Sequence, residues 1–412
     1  MIKLFKENIG FLYYLIGEGL SKGIVFLSIP FFTDQLTKEE FGKLSLYWVS
    51  VPLLSVFLDL SQRSFVKYSY VNDKENIRSV LMVIKSLLFL NSIIVLSLIL
   101  IKNILGVYLI DKRADLILAL TAAMYAFLEI NLSYYQIRGQ YKSYNYLFLL
   151  RNGLPYVLTF ITLSVFKSVY TFMGLQLVVF SLLVILFLSR SKYTTVTREF
   201  FLSTLKKSIS FSLPFLPAML SVLTLSFSDR FIINYYYSEI DVAEYTIAYT
   251  IGSVFMACFL ATNKMWQKFI LENLKNNQIQ RISNAAKIYS AIIFLLGIII
   301  VLNKNTLVVL ISNDSYLKIV ELVVPIVCGM FFYFLYTLIS NIPFFYNHTG
   351  LMVIPAIVSA AVNLILNFVF IPEYGYSIAA YTTMISYILQ FLILYFICLS
   401  KYNLDILFNV KR

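Results

Sequence analysis

The sequence predicts an all-α polytopic membrane protein. It should have about twelve helices in two bundles of about six, related by a parallel pseudo-twofold repeat, with both termini in the cytoplasm. Three observations predict this. The first is composition: of 412 residues, 60% are hydrophobic and 13% charged, whereas soluble chains are usually about a quarter charged. The second is spacing, since apolar runs near the length of a bilayer-crossing helix recur along the chain. The third is that Lys and Arg collect in alternate links between those runs.

Taken in order, the expected spans are 10–32, 41–60, 79–101, 115–135, 146–166, 169–189, 208–228, 241–262, 284–302, 317–340, 351–371 and 375–399. The strict polar–apolar alternation of a β-barrel is absent, so helices are the way to satisfy this backbone in lipid. Pro30, Pro52, Pro155, Pro214, Pro217, Pro325 and Pro355 fall in or at the ends of spans. Such prolines kink helices and suit a protein that moves better than a rigid anchor. Lys3 and Lys6 precede the first run, but no small-residue cleavage site follows, so that run is expected to remain as a span.

Arg63, Lys67, Lys74 and Arg78 crowd one link, Arg138, Lys142 and Arg151 the next on that side, and Arg190, Lys192, Arg198, Lys206 and Lys207 the next. Opposite links are poorer, and this bias sets the orientation. It also removes nucleic acid as a partner despite a net charge of +12, because no basic domain exists. Cys258, Cys328 and Cys398 all lie in apolar runs, and His348 stands alone, which argues against a disulfide framework or a metal site. Links are short, so no soluble domain is expected. The longest, Asn263–Ala286, reads either as a helix in the cytoplasmic interface or as an extension of the preceding span.

Phe41–Leu58 resembles Val242–Phe259, about 200 residues later, and each follows a short acidic turn. This divides the chain into an N-terminal bundle (1–190), a cytoplasmic linker (191–207) and a C-terminal bundle (208–412).

Three stretches resemble the Wzx-type polysaccharide flippases, in the polysaccharide-transport branch of the multidrug/oligosaccharidyl-lipid/polysaccharide exporter superfamily. The first stretch holds Gly17, Lys22, Gly23, Pro30 and Glu40-Phe41-Gly42. The second holds Asp229-Arg230-Phe231, Ala243, Tyr245, Ala248-Tyr249 and Gly252. The third holds Asn363, Asn367, Pro372, Tyr374-Gly375, Ala379-Ala380 and Thr382-Thr383. Tyr237-Ser238 stands where relatives often carry a small, Gly-containing turn. The resemblance implies a MATE-like pair of bundles in the bacterial inner membrane. It implies movement of an undecaprenyl-pyrophosphate-linked repeat unit of O-antigen or capsule to the outer leaflet by alternating access, without a catalytic motif. A single chain is expected to suffice, among membrane lipids, with a polysaccharide polymerase and chain-length regulator as partners.

Charges inside spans cost about 2.5–3.5 kcal/mol each at a helix centre and are functional by default. Lys22, Lys85 and Arg151 with Asn152 are therefore candidates for binding the pyrophosphate. A guanidinium such as that of Arg151 grips phosphate oxygens bidentately, although an anchor at the cytoplasmic surface is the alternative. Lys85 either faces a cavity or snorkels. Glu18 shares a helix face with Lys22 and either exchanges a proton or forms an internal ion pair. Glu129 and Glu321 are possible H⁺ or Na⁺ sites, with plain solvation as the alternative for Glu321. No cofactor is expected. Asp229 and Arg230 read as a helix-end or inter-bundle contact, with an ion-coupling or gating role, and substrate contact is the alternative. Asn363 and Asn367, one turn apart, would bond either sugars or another helix.

A cation antiporter of the same superfamily is the competing transporter reading, but its cavity should be acid-rich. A membrane polymerase or glycosyltransferase would need a large external loop or paired carboxylates.

Overall fold

Helices carry almost all of the described chain. The computed structural model is described at residues 2–190, 196–348 and 350–407, without the side chains of residues 2–16, Glu18, Lys22, Arg190, Ala261 and Lys264. The chain forms two compact units, Met1–Leu220 and Ser221–Arg412.

In the first unit the helices are α1 (Ile2–Gln35), α2 (Lys38–Asp59), α3 (Gln62–Asn72), α4 (Ile77–Ile104), α5 (Lys112–Ile137), α6 (Tyr141–Asn152), α7 (Leu154–Thr162), α8 (Val169–Arg190) and α9 (Arg198–Ser212). A 3-10 turn, Leu213–Phe215, leads into α10 (Leu216–Tyr236), within which the division between units falls. The second unit continues with α11 (Glu239–Lys275), α12 (Ile279–Leu302), α13 (Lys304–Ile311), α14 (Val323–Ile339), α15 (Asn341–Phe345), α16 (Gly350–Tyr374) and α17 (Ile378–Tyr402). A 3-10 segment, Asp314–Leu322, runs into α14.

Among the described residues, 10 helical stretches are long and apolar enough to cross a membrane. Two further expected spans take other forms. Span 10–32 lies in α1, a 34-residue helix. Span 146–166 is broken into α6 and α7. Two adjacent features mark the break. Pro155 cannot donate to the preceding turn, and Gly153 sits where a Cβ would stand 2.9 Å from the Leu149 carbonyl oxygen.

Local chemistry sets several helix ends. Thr37 accepts from the Glu40 amide while Glu40 reaches back, a capping box that starts α2. Asp111 caps α5 through the amides of Arg113 and Ala114. Between α2 and α3 the chain turns a corner on Leu60 (φ 46°) and Ser61 (φ 59°), both left-handed.

Two expected boundaries move. The span expected to stop at Ser228 continues to Tyr236, so Asp229 and Arg230 lie inside α10 and are buried. The stretch after 262 is no separate interfacial helix. It is the far end of α11, a 37-residue helix about 55 Å long at 1.5 Å per residue, which is well beyond a hydrocarbon core of about 30 Å. Packing secures its far end: Trp266, Ile270 and Leu274 are buried, and Trp266 Nε1 donates to the Leu338 carbonyl at 2.9 Å.

Each unit has a hub helix. α5 packs against α2, α4 and α8 in the first, and α14 against α11, α12 and α17 in the second. Hub contacts use small residues to bring helices close. A Cβ on Gly252 of α11 would stand 2.4 Å from Ile326 of α14. In the first unit, fully buried Tyr47 of α2 donates to Thr121 of α5 at 3.0 Å.

Candidate functional site

Among the described residues, the first unit gathers five charged side chains from four helices. Arg151, on the last turn of α6, is buried and bonds Glu129 of α5. Arg63 of α3 donates to the other Glu129 oxygen at 3.2 Å and forms an ion pair with Asp59, at the end of α2, whose carboxylate stands 2.7 Å from Nε. The Arg151 guanidinium also lies over the rings of Tyr125, at 4.4 Å, and Phe148, at 5.5 Å. Burial of this kind is stable only if each ion keeps its partners, because an unpaired buried charge costs several kcal/mol. Two carboxylates between two guanidiniums, with an aromatic face behind one of them, meet that need.

The corner at Leu60–Ser61 makes the arrangement possible. Asp59 Oδ1 accepts from the Ser61 amide at 2.9 Å, tying the carboxylate to the turn, while its other oxygen meets Arg63 on the next helix. Gln62, on the same corner, is 1% exposed, and both its amide ends are without a hydrogen-bond partner among the described residues.

A cavity of about 200 Å³ lies beside the cluster, lined by Arg63, Ser64, Lys67, Glu129, Ser133 and Gln136, with Tyr144 and Met219. Lys67 is the fifth charge. Arg63 and Arg151 neutralise Asp59 and Glu129, so among the described residues of the cluster Lys67 is the cation left over. Partial burial, with the like charge of Arg63 second, holds its ammonium below the usual lysine range, against the pull of Glu129. A small cavity edged by hydroxyls, an amide and one surplus cation suits an anion better than a cation.

Other expected site residues are placed elsewhere. Asn152 ends α6 and is half-buried, next to Arg151. Lys85 of α4 donates to Asn131 of α5 at 3.1 Å and lies 4.7 Å over Phe127. It does not join the Arg63 cluster; it lines a separate groove. Glu321 is exposed and pairs with Lys304 at 2.8 Å, a contact of the solvated kind. The side chains of Glu18 and Lys22 lie outside the described residues.

In the second unit Asp229, Asn363 and Asn367 come together, all 0% exposed. Asp229 Oδ1 accepts from Asn367 at 2.6 Å; Oδ2 accepts from Thr383 at 2.8 Å and from Tyr245. Thr382 donates to Asn367, and Ser228 donates to Asn363 at 3.2 Å. Arg230 turns away from Asp229, as neighbours on a helix must. It donates to Thr246 and to the Ser226 carbonyl, each at 3.1 Å, and lies 4.6 Å over Tyr249. This network joins α10, α11, α16 and α17, and in it the asparagines bond side chains of neighbouring helices. Glu244, also 0% exposed, is held by Lys318 at 2.9 Å and by the Tyr376 hydroxyl at 2.6 Å.

Sequence reasoning singled out Glu129 and Arg151 but not their contact. Asp59 and Glu244 were missed as site residues, and Arg63 and Lys67 were read only as orientation signals. An acid four residues before an arginine at a span end, Asp59 before Arg63, was the available signal.

Known proteins sharpen this picture. The chain matches the family described as "Polysaccharide biosynthesis protein" over residues 9–263. It is 26% identical over 274 residues to an uncharacterized membrane protein of Haemophilus influenzae, covering 65% of this chain and 66% of that one. It is 25% identical over 285 residues to Lsg locus protein 1 of the same organism, covering 68% of each. The chain thus spans about two thirds of the length of the curated relatives it matches. Among solved structures, it is similar to the inward-facing form of a multidrug resistance MATE family transporter of the MOP superfamily. There the TM-score is 0.68 at 16% identity, covering 90% of this chain and 92% of that one. It is also similar to the lipid II flippase MurJ in an inward closed conformation, with a TM-score of 0.60 at 15% identity, covering 94% and 87%. The fold is therefore that shared by the MATE and MurJ proteins, and the family match covers more than half of the sequence. The chain belongs to the polysaccharide biosynthesis protein family.

Proposed function

We propose that the protein is a flippase of the bacterial cytoplasmic membrane. It would carry an undecaprenyl-diphosphate-linked oligosaccharide from the cytoplasmic to the outer leaflet, by alternating access, for O-antigen or capsule assembly. Family membership supports a place in polysaccharide biosynthesis. The observation that carries the reading is the surplus cation at the cavity of the first unit: Arg63 and Arg151 are spent on Asp59 and Glu129, and Lys67 is not. A diphosphate brings negative charge to that ammonium, and Ser64, Ser133 and Gln136 offer the hydrogen bonds a sugar or phosphate needs. A carrier of cationic drugs would need the opposite balance.

Reconstitution into proteoliposomes with a fluorescent lipid-linked oligosaccharide tests the proposal. Protein-dependent loss of the label from one leaflet is the expected result. Exchange of a cationic dye against H⁺ or Na⁺, with no movement of the lipid-linked sugar, would instead assign the chain to the cation antiporters.

A further inference from the structure

A groove of about 900 Å³ lies in the first unit between α4, α5 and α8. Its walls are apolar, with Met82, Phe89 and Ile93 from α4, Leu120 from α5, and Phe187 and Leu188 from α8. Phe89 is 69% exposed and Ile93 48%. These walls stand on helices long and apolar enough to span a bilayer, so the groove opens towards lipid.

Its charge is gathered at one end. Arg78 is the second residue of α4, Lys85 lies two turns further in, and Arg138 caps the antiparallel α5. The first turn of α4 and the last of α5 therefore meet at the same membrane face, the face that the lysine and arginine bias assigns to the cytoplasm. None of the described residues lining the groove is an acid. Lys85 is steadied by Asn131, at 3.1 Å, and by the Phe127 ring. Arg138 is steadied by the Tyr134 hydroxyl, at 2.9 Å, and by that ring. Both are held by neutral groups, which fixes their position and, among the described residues, leaves their charge uncompensated.

We propose that this groove binds an anionic phospholipid of the adjoining leaflet, with the phosphate at Arg78, Lys85 and Arg138 and the acyl chains along Met82, Phe89 and Ile93. Basic pockets between spanning helices at the cytoplasmic face recognise such headgroups. A prenyl diphosphate shares the chemistry of phosphate on an apolar chain. A groove open to the leaflet, however, is filled by mass action with whatever matching lipid is abundant there, and that is phospholipid. The inference does not depend on the flippase reading.

Native mass spectrometry of the protein released from nanodiscs tests it. Phosphatidylglycerol should be retained roughly tenfold or more over phosphatidylcholine of the same chains. The Lys85→Gln/Arg138→Gln variant should lose that preference, while Lys206→Gln/Lys207→Gln keeps it. A melting temperature for each variant separates loss of binding from loss of fold, and Lys85→Arg, which keeps the charge, should restore retention in the Arg138 background. Equal retention of the two lipids overturns the proposal. So does an unchanged preference in the folded double variant. Displacement of phosphatidylglycerol by glycerol phosphate alone overturns it in favour of a free-anion site. Displacement by an equimolar prenyl diphosphate overturns it in favour of a cargo site. A flipping assay that fails while the lipid preference stands would sink the flippase reading alone.

Discussion

In the first unit Glu129 meets two guanidiniums at the edge of a cavity; in the second, Asp229 meets an amide and two hydroxyls and is sealed from solvent. The ingredients are alike. Each unit has an acid and an arginine on spanning or near-spanning helices, with aromatic rings under the guanidinium. The outcomes differ because of what surrounds them. Arg230 spends its donors on Thr246 and a backbone carbonyl, so Asp229 is left to neutral donors and becomes a clasp between helices. Arg151 and Arg63 both turn to one carboxylate, which concentrates full charges and leaves Lys67 over. A buried acid in a membrane helix is thus no guide to function until its donors are counted.

The contrast can be broken, most strongly at Glu129. Glu129→Ala strands Arg151 in a buried site and should cost about 3–5 kcal/mol, read as a lower melting temperature and poor recovery in detergent. Adding Arg151→Ala should restore part of that loss, since the stranded charge goes with it. A neutral Glu129→Ala would mean that the ion cluster does not hold the unit.

Asp229→Ala removes the acceptor for Asn367, Thr383 and Tyr245 and should cost about 1–3 kcal/mol. Translocation per folded molecule should be retained. A specific loss of transport at unchanged stability would make Asp229 a working group and erase the distinction drawn between the units.

Lys67→Glu should behave in the opposite way. Stability should stay within about 0.5 kcal/mol, as for most exposed positions, while the rate of lipid-linked sugar movement falls roughly tenfold, about 1.4 kcal/mol. Unchanged movement would remove the cavity from the transport route. At the weak end, Lys304→Ala should change stability by at most about 1 kcal/mol, because Glu321 is exposed. A larger change would show that this outer pair is not simple surface chemistry.

Most of the fold was legible in the sequence because bilayer thickness fixes helix length and the cost of exposed backbone forbids other shapes. Two kinds of boundary were not. Hydropathy ends a span at its first charges, so it stopped α10 at Asp229-Arg230, whereas burial with hydrogen-bond partners let the helix run on to Tyr236. It also had no means of telling whether the amphipathic stretch after 262 bends away or continues, which was decided by the packing of Trp266. For the site, Arg151 and Glu129 could be picked out one by one as costly charges. Their contact spans 22 residues, and that of Asp229 with Asn367 spans 138; pairing at such distances leaves no local pattern. Arg63 and Lys67 were hidden for a different reason. A basic residue that orients a helix and one that faces a cavity are the same residue type in the same link.

The corner at Leu60–Ser61 has a mechanical meaning. In an unbroken helix, residues four apart meet as a matter of course. Here the axis changes direction between Asp59 and Arg63, yet the two still meet at 2.7 Å. Two successive left-handed residues, each costing about 1–2 kcal/mol without glycine, turn the chain and return it to register, like a geared joint that rotates a shaft and keeps the teeth aligned. Adding or removing one residue at this joint would leave both helices intact and uncouple their charges. The length of the corner is therefore under as tight a constraint as the identity of the ions it brings together.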